Sequence, residues 1–317
     1  MKKNKISWMS LGAIILCGIL ATYGFTNEKN QDNTFSTSGK TSTPWEGNYV
    51  VHALPTPEEI TFMEKEVPVQ ILDVKEKLDR ELLVNTYWHS NTFLMIKRAN
   101  RWFPIIEPIL KENNIPDDFK YLALIESGLT NVTSSAGATG FWQFLKETGK
   151  EYGLEVNSLV DERYHVEKST VAACKYLHKA YDKFEDWALV AASYNMGMGG
   201  VTKRLNEQKV KTYWDLLLNM ETARYVYRII AVKEILTNSE KYGFMINSTD
   251  LYQPYQTKTI SVETPILNLT TFANDNGINF KTLKTLNPWM RKDNLNFKNN
   301  RIYDIKLPID VKQWQTE

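Results

Sequence analysis

The chain has 317 residues, enough for two domains that each bury a hydrophobic core. Its 38 basic and 37 acidic residues nearly cancel, so no basic surface for nucleic acid is indicated, and nucleic acid is not expected as a partner. The 4 histidines and 2 cysteines are scattered without metal-ligand spacing, so neither a metal nor another cofactor is predicted.

The N-terminus has the pattern of a targeting segment. Lys2, Lys3 and Lys5 precede a mostly apolar, uncharged run, Ile6–Phe25. Residues 1–25 therefore read as a signal peptide or as an uncleaved membrane anchor, since a run of about 20 apolar residues can span a bilayer. Both alternatives predict an exported protein that is periplasmic or anchored to the inner or outer membrane of the cell envelope.

Residues 26–57 are polar and lack an apolar period, which predicts a flexible linker. From residue 58 to residue 114 the pattern is helical, and this segment is expected to pack on the next domain. Apolar residues recur there at three- and four-residue steps, as at Ile71, Val74, Leu78 and Leu82.

A single carboxylate, Glu126, ends the short apolar run Tyr121–Ile125. Burying a charged carboxylate is costly and raises its pKa, which is what a general acid needs near neutral pH. The structural alternative is a glutamate that caps a core helix or forms an ion pair there.

Three clusters follow one another in the order of a known family: Glu126–Ser127 with Gly140–Gln143, then Ser193–Gly197, then Glu221–Val226. Together they resemble the soluble lytic transglycosylases and their membrane-bound D-type members, relatives of goose-type lysozyme. The loop between Glu126 and Gln143 is one residue shorter than is usual in that family. The resemblance implies a mainly α fold, with a lysozyme-like helical catalytic domain at residues 115–247.

The resemblance also implies a reaction. Glu126 would act first as acid and then as base on the bond between N-acetylmuramic acid and N-acetylglucosamine in peptidoglycan glycan strands, leaving a 1,6-anhydromuramoyl end. The residues implied to bind substrate or to shape its groove are Ser127, Ser134, Gln143, Tyr194, Asn195, Glu221 and Tyr225. Of these, Tyr194 is implied to form a hydrogen bond with Glu126 or with the N-acetyl group of the substrate. For Tyr225, packing in the core of a helix face is a competing interpretation.

Most glycosidases use two carboxylates, but no second catalytic carboxylate stands out here. Glu147 and Glu151 have surface-like neighbours, while Asp161 and Glu162 lie beside Arg163 as in a structural ion pair. A single acid suits the substrate-assisted route that the family resemblance implies, in which the muramoyl N-acetyl group stabilises C1 from within the substrate. The alternatives are a muramidase that hydrolyses the same bond and a non-catalytic protein that binds the cell wall.

Residues 255–312 predict a strand, two short helices and a second strand, and they resemble a LysM module, giving a small α+β domain. The match is degenerate, because Glu263–Pro265 replaces the usual Gly-Asp-Thr turn and Trp289–Asn300 looks like an insertion. The module therefore either binds glycan or is a structural cap.

Overall fold

The computed structural model describes residues 51–298 and 301–316. The predicted signal or anchor segment 1–25 and most of the predicted linker 26–57 lie outside these residues. Within the described ranges, no helix is both long enough and apolar enough to cross a membrane. The helices of the N-terminal three-quarters are α1 (Leu72–Tyr87), α2 (His89–Glu112), α3 (Phe119–Ser127), α4 (Lys146–Glu151), α5 (Val166–Phe184), α6 (Trp187–Met196), α7 (Met198–Gln208) and α8 (Met220–Thr237).

The stretch that follows residue 58 begins with a β-hairpin, where the sequence predicted helix. Strands β1 (Thr61–Phe62) and β2 (Lys65–Glu66) pair antiparallel. Met63 and Glu64 between them have φ values of 51° and 63°, as in the tight two-residue turns whose twist suits a hairpin. The backbone N–H of Met63 donates to the Asp118 carboxylate at 2.8 Å, which fixes the hairpin to the start of α3.

Helix α6 lies at the centre of the helical domain. All five residues from Ala188 to Ala192 are buried, and α6 packs against α5, α7 and α8. Around it, α1 packs on α8 and α2 packs on α5. A helix that is apolar on all sides belongs inside a domain, and its alanines allow the neighbouring helices to approach closely.

Two helix boundaries in the centre of the domain are set locally. Helix α5 begins at Val166, and Ser169 lies inside the helix, where its hydroxyl donates to the Val166 carbonyl at 3.1 Å. Of the three glycines after α6, Gly197 makes the break with φ of 81°, whereas Gly199 and Gly200 continue in α7. A single junction residue, Gly197, therefore separates α6 from α7.

The C-terminal module has the predicted order of elements. These are β3 (Thr257–Val262), α9 (Leu269–Asp275), α10 (Phe280–Leu286) and β4 (Tyr303–Pro308). The two strands pair antiparallel along their whole length. The side chains of Asn268 and Asn279 accept backbone N–H bonds at the starts of α9 and α10, which explains where each short helix begins. The mainly α fold with a small α+β module is thus confirmed.

The segment after Trp289 docks the module onto the helical domain. The backbone N–H of Asp161 donates to the Trp289 carbonyl at 2.9 Å, and that of Arg291 donates to the Leu159 carbonyl at 2.8 Å. Val160, 1% exposed, belongs to the apolar cluster of the module. The predicted insertion is therefore not a free loop, because its first residues pair with the backbone of the other domain.

Ionic contacts reinforce this junction. Lys306 on β4 pairs with Glu167 in the first turn of α5, and Arg301 pairs with Glu155. Burial by itself raises the pKa of Glu167, but a hydrogen bond with His165 and the charge of Lys306 outweigh burial and lower that pKa to about 2. Glu167 is therefore ionised, and its charge is used to hold the module.

Candidate active site

Glu126 occupies the last turn of α3, where the helix stops at a glycine. Gly128 has φ of 59° and closes the helix with an N–H bond to the Leu124 carbonyl. The Ser127 hydroxyl lies 3.1 Å from the Ala123 carbonyl and 3.0 Å from the Phe141 carbonyl. This second contact ties the end of α3 to the loop that follows it.

The Glu126 side chain is half-buried, and burial raises the pKa of its carboxyl group. Three neighbours modify this effect. The Tyr225 hydroxyl donates to the carboxylate and lowers the pKa, the charge of Arg228 lowers it too, and the charge of Glu221 raises it. The net result is a raised pKa, which keeps the group protonated to higher pH than an ordinary glutamate.

These three neighbours come from one face of α8. Glu221, Tyr225 and Arg228 follow one another at steps of four and three residues, the spacing that places side chains on one side of a helix. The Arg228 guanidinium also donates to the Ile125 carbonyl at 3.3 Å. Helix α8 thus supplies the three side chains that modify the effect of burial on the pKa of Glu126.

The loop between α3 and α4 is held in a fixed shape by bridges within the loop and by contact with the backbone at Arg163. Isolated bridges pair Thr133 with Thr139 and Thr139 with Phe144. Gly140 has φ of 80°, and a Cβ at this position would lie 1.9 Å from the Arg163 carbonyl oxygen. Only glycine fits here, because the loop backbone runs directly against the backbone at Arg163.

Arg163 supports this loop with its side chain. It is 8% exposed, donates to Asp161 through two nitrogens at 2.9 and 2.7 Å, and donates to the Gly137 and Phe144 carbonyls at 3.0 Å. The ion pair predicted between this arginine and a neighbouring acid is confirmed. Its second role, in holding the loop, was not predicted, because nothing in the local sequence links residue 163 to residues 137 and 144.

The loop residues of the predicted site divide into two groups. Gln143 has φ of 46°, and its side-chain amide donates to the Val132 and Gly140 carbonyls at 3.1 and 2.8 Å, so it shapes the loop. Ser134 is exposed at the loop tip, where its oxygen accepts the Ala138 N–H at 3.1 Å. Ser134 is thus accessible to a ligand, whereas the Gln143 amide is already engaged.

The predicted residues on α6 lie beside the same loop and beside α8. The Tyr194 hydroxyl donates to the Trp142 carbonyl at 2.7 Å, and its pKa is raised well above the usual value by burial and by the Glu126 charge. The Asn195 amide donates to Glu221 at 3.2 Å and accepts from the Thr222 hydroxyl at 2.7 Å. Tyr194 therefore supports the loop, and the tyrosine that donates to Glu126 is Tyr225.

Tyr225 is 2% exposed. That burial favours the core position on its helix over a contact with sugar. Neither the hydrogen bond from Tyr225 to Glu126 nor the effect of the Arg228 charge was predicted from the sequence. The available signal was the spacing of Tyr225 and Arg228, which follow Glu221 at steps of four and three residues and so share one face of a helix.

The other carboxylates considered as a second catalytic group have structural partners. Glu147 pairs with Lys150, Glu151 with Lys179, and Glu162 with Lys168. Among the described carboxylates, Glu221 is the one whose charge acts on Glu126. It is exposed and hydrogen-bonded to Asn195.

Comparison with protein families gives two matches. The family model for the transglycosylase SLT domain matches residues 103–217. The model for the LysM-like C-terminal domain of soluble lytic transglycosylases matches residues 258–311. Glu126 and Tyr194 fall within the first match, whereas Glu221, Tyr225 and Arg228 lie beyond its end.

Among curated proteins, the chain is 31% identical over 228 residues to membrane-bound lytic murein transglycosylase D of Escherichia coli K12. The same protein from E. coli O6:H1 gives the same values. The alignment covers 70% of this chain and 49% of the relative, so the chain spans about half the length of the curated relatives it matches.

Among solved structures, the 70 kDa soluble lytic transglycosylase of E. coli superposes with a TM-score of 0.38 at 20% identity, covering 48% of this chain and 26% of that one. An inactive mutant of the lytic transglycosylase Slt from Pseudomonas aeruginosa gives 0.35 at 18% identity, with the same coverage.

Proposed function

Because residues 103–217 match the transglycosylase SLT domain family and residues 258–311 match its LysM-like C-terminal domain family, we propose that this protein is a peptidoglycan lytic transglycosylase. The observation that carries the proposal is the environment of Glu126. A half-buried carboxyl group with a raised pKa stands at a helix end, with a tyrosine donor behind it and a structured loop beside it.

In the proposed reaction, protonated Glu126 gives its proton to the glycosidic oxygen between N-acetylmuramic acid and N-acetylglucosamine. The bond from C1 to that oxygen breaks, and the oxygen of the muramoyl N-acetyl group stabilises C1 from within the substrate. The Glu126 carboxylate then removes the proton from the muramoyl O6, which bonds to C1 and closes the 1,6-anhydro ring. Glu126 is protonated again at the end of the cycle, and no water is consumed.

The surrounding residues suit this cycle. A carboxyl group that acts as acid and then as base must be stable in both charge states. Burial favours the protonated form, while the Tyr225 hydroxyl and the Arg228 charge limit the cost of the ionised form. Ser134, which is exposed, is the residue best placed to contact sugar, and Ser127, Gln143, Tyr194, Asn195 and Glu221 would shape the groove beside it.

The protein would act in the cell envelope, with residues 1–25 serving as signal or anchor and residues 115–247 as the catalytic domain. We propose that the module at residues 255–312 is docked on the catalytic domain as part of the enzyme. The alternative is a separate wall-binding domain that is joined to the enzyme by a linker. The support is the paired backbone at Asp161 and Trp289 and the ion pair between Glu167 and Lys306.

The test is a digestion of purified peptidoglycan followed by mass spectrometry of the released muropeptides. We expect 1,6-anhydromuramoyl products, about 18 Da lighter than hydrolytic ones, because intramolecular attack replaces the addition of water. Reducing ends as the major products would assign the protein to the muramidases. Release of no products by a folded, wall-binding chain would assign it to the non-catalytic class.

A further inference from the structure

Four aromatic side chains form a continuous row, which begins at the loop beside Glu126 and ends near the C-terminus. We call it the aromatic row. The ring of Phe141 meets that of Trp102 on α2 with centroids 5.0 Å apart, and Trp102 meets Tyr255 at 5.7 Å. Tyr255 in turn meets Trp314 at 4.8 Å. All three contacts are edge-to-face, an arrangement that aromatic pairs prefer. The row therefore connects the helical domain with the C-terminal module.

At one end the aromatic row is attached to the loop between α3 and α4. Phe141 is 2% exposed, and its carbonyl accepts the hydroxyl of Ser127, the chain neighbour of Glu126, at 3.0 Å. The next residue, Trp142, is fixed in the core, where its indole N–H donates to the Thr170 hydroxyl at 2.9 Å. A displacement of the Phe141 ring would therefore displace a backbone group that is bonded to the end of α3.

At the other end the aromatic row is attached to the segment that leads into the module. This segment, residues 252–255, is called the strap here. Arg101 on α2 donates to the Gln253 carbonyl and to the Tyr255 hydroxyl, both at 2.9 Å. Its guanidinium also lies 4.2 Å from the centroid of the Tyr255 ring. Because the strap runs directly into β3, the position of Tyr255 depends on how the module is docked.

Trp102 is the member of the aromatic row that contacts both the loop and the strap. It is half-buried. Protein interiors are close-packed, so a ring with a neighbour on either side transmits a displacement from one to the other. Trp102, Tyr255 and Trp314 all lie outside the two family matches, residues 103–217 and 258–311. Neither domain family by itself therefore accounts for the row.

We infer that Trp102 is a positioning residue for the proposed reaction, and that through the aromatic row it couples docking of the C-terminal module to the position of the loop beside Glu126. The inference rests on the proposed function for its effect on turnover. It gives the module a part in catalysis, in addition to any binding of the wall. A misplacement of about 1 Å in an active site can cost about 10²-fold in rate, so loss of the coupling should lower kcat.

The first measurement is turnover of a soluble peptidoglycan fragment by the full chain, at a temperature where thermal unfolding shows every variant to be folded. Trp102→Leu and Tyr255→Leu should each lower kcat about tenfold or more and change KM by less than about twofold. The double variant should be little worse than either single one, because residues that act in one chain of contacts are not additive. Trp102→Phe keeps an aromatic ring and should recover part of the lost kcat.

Phe93→Leu is the matched control. Phe93 is a half-buried aromatic residue on the same helix, and it makes an edge-to-face pair with Phe244 at 5.5 Å, but it is not part of the aromatic row. This variant should lose stability as the row variants do and keep its kcat. An equal fall of kcat in Phe93→Leu would show a general effect of lost packing and would overturn the inference.

The second measurement does not depend on catalysis. The backbone N–H groups of Thr139, Gly140 and Gln143 are hydrogen-bonded within the loop, so their hydrogen–deuterium exchange reports its opening. Tyr255→Leu changes a residue on the strap, yet it should speed exchange in the loop several-fold, whereas Phe93→Leu should not. Unchanged exchange in both Tyr255→Leu and Trp102→Leu would overturn the inference.

The two proposals fail separately. If the wild type releases anhydromuropeptides but neither kcat nor loop exchange responds to Tyr255→Leu, the coupling falls and the proposed function stands. If loop exchange responds but the wild type cleaves no glycan, the catalytic proposal falls and the coupling of the module to the loop remains. A raised KM with unchanged kcat in Trp102→Leu would mean that Trp102 binds substrate, and it would overturn the positioning role.

Discussion

The hydroxyl of Tyr225, in the second turn of α8, donates a hydrogen bond to the carboxylate of Glu126 at the end of α3, across 99 residues of chain. A charge-assisted bond of this kind stabilises the ionised form of the acid. Burial acts in the opposite direction and dominates. The pKa of Glu126 is therefore raised, while its ionised form keeps a hydrogen-bond donor.

Glu126→Gln should leave the fold intact and abolish release of muropeptides. The amide is close to the carboxylic acid in shape but cannot give up a proton, and general acid–base catalysis contributes about 10²–10⁴-fold. Release from purified peptidoglycan, followed by chromatography, measures the effect. Glu147→Gln is the control, since Glu147 is exposed and pairs with Lys150 at the surface. Near-normal release by the Glu126→Gln variant would contradict the assignment.

Tyr225→Phe should raise the pKa of Glu126 further, because the ionised carboxylate loses its donor. If deprotonation of Glu126 sets the alkaline limb of kcat/KM, that limb should move to higher pH in the variant, and activity at its optimum should fall. The measurement is a pH–rate profile on peptidoglycan. Tyr227→Phe, on the same helix and also buried, should leave the limb in place. A limb that stays fixed in Tyr225→Phe would argue against control of Glu126 by Tyr225.

Gly140→Ala should destabilise the protein and inactivate it, since the added Cβ would lie 1.9 Å from the Arg163 carbonyl oxygen. Gly137→Ala provides a matched control in the same loop. Gly137 also has positive φ, 82°, but no atom within 4 Å of the new Cβ. Both variants carry the backbone cost of about 1 kcal/mol for a left-handed alanine, so the difference in thermal unfolding isolates the clash. Equal unfolding temperatures would show that the loop can shift away from Arg163.

Glu167→Gln should lower stability at neutral pH. The folded-state pKa of Glu167 is lowered to about 2 from an ordinary value of 4.5, so its contribution is present above the ordinary value and is lost as pH falls toward the folded value. Because the side chain is 33% exposed, solvent screening reduces the effect to about 1 kcal/mol.

Thermal unfolding of wild type and Glu167→Gln between pH 2 and pH 7 checks this dependence. The gap between the two proteins should be widest near neutrality and should close as the pH approaches 2. A gap that is constant over the whole range would mean that the ion pair with Lys306 contributes nothing to stability.

Trp289→Ala should loosen the module from the helical domain. Trp289 is 4% exposed and lies between His165 and Tyr303, so its truncation should cost about 3–5 kcal/mol. Limited proteolysis should then cut first within the module. Ile302→Ala is the comparison, because Ile302 is 60% exposed and its truncation should change stability by no more than about 0.5 kcal/mol. Equal proteolysis of the two variants would favour an undocked module.

Local patterns were sufficient for much of the architecture. The apolar period, the stop at Gly128 and the asparagines that begin α9 and α10 act over a few residues, so helices and strands could be predicted where they occur. The exceptions were also local. Residues 61–66 form a hairpin because two left-handed turn residues close it, and an apolar period alone cannot distinguish such a segment from helix.

By itself the sequence determined that a lone carboxylate, Glu126, follows an apolar run, and it determined the order of the motifs around that residue. Only the tertiary structure decided which side chains reach it. The Tyr194 hydroxyl donates to the Trp142 carbonyl, and the hydroxyl that donates to the Glu126 carboxylate is that of Tyr225. The reason is physical. Hydrogen bonds act at about 3 Å, and the packing of α3 against α8 selects partners that are far apart along the chain.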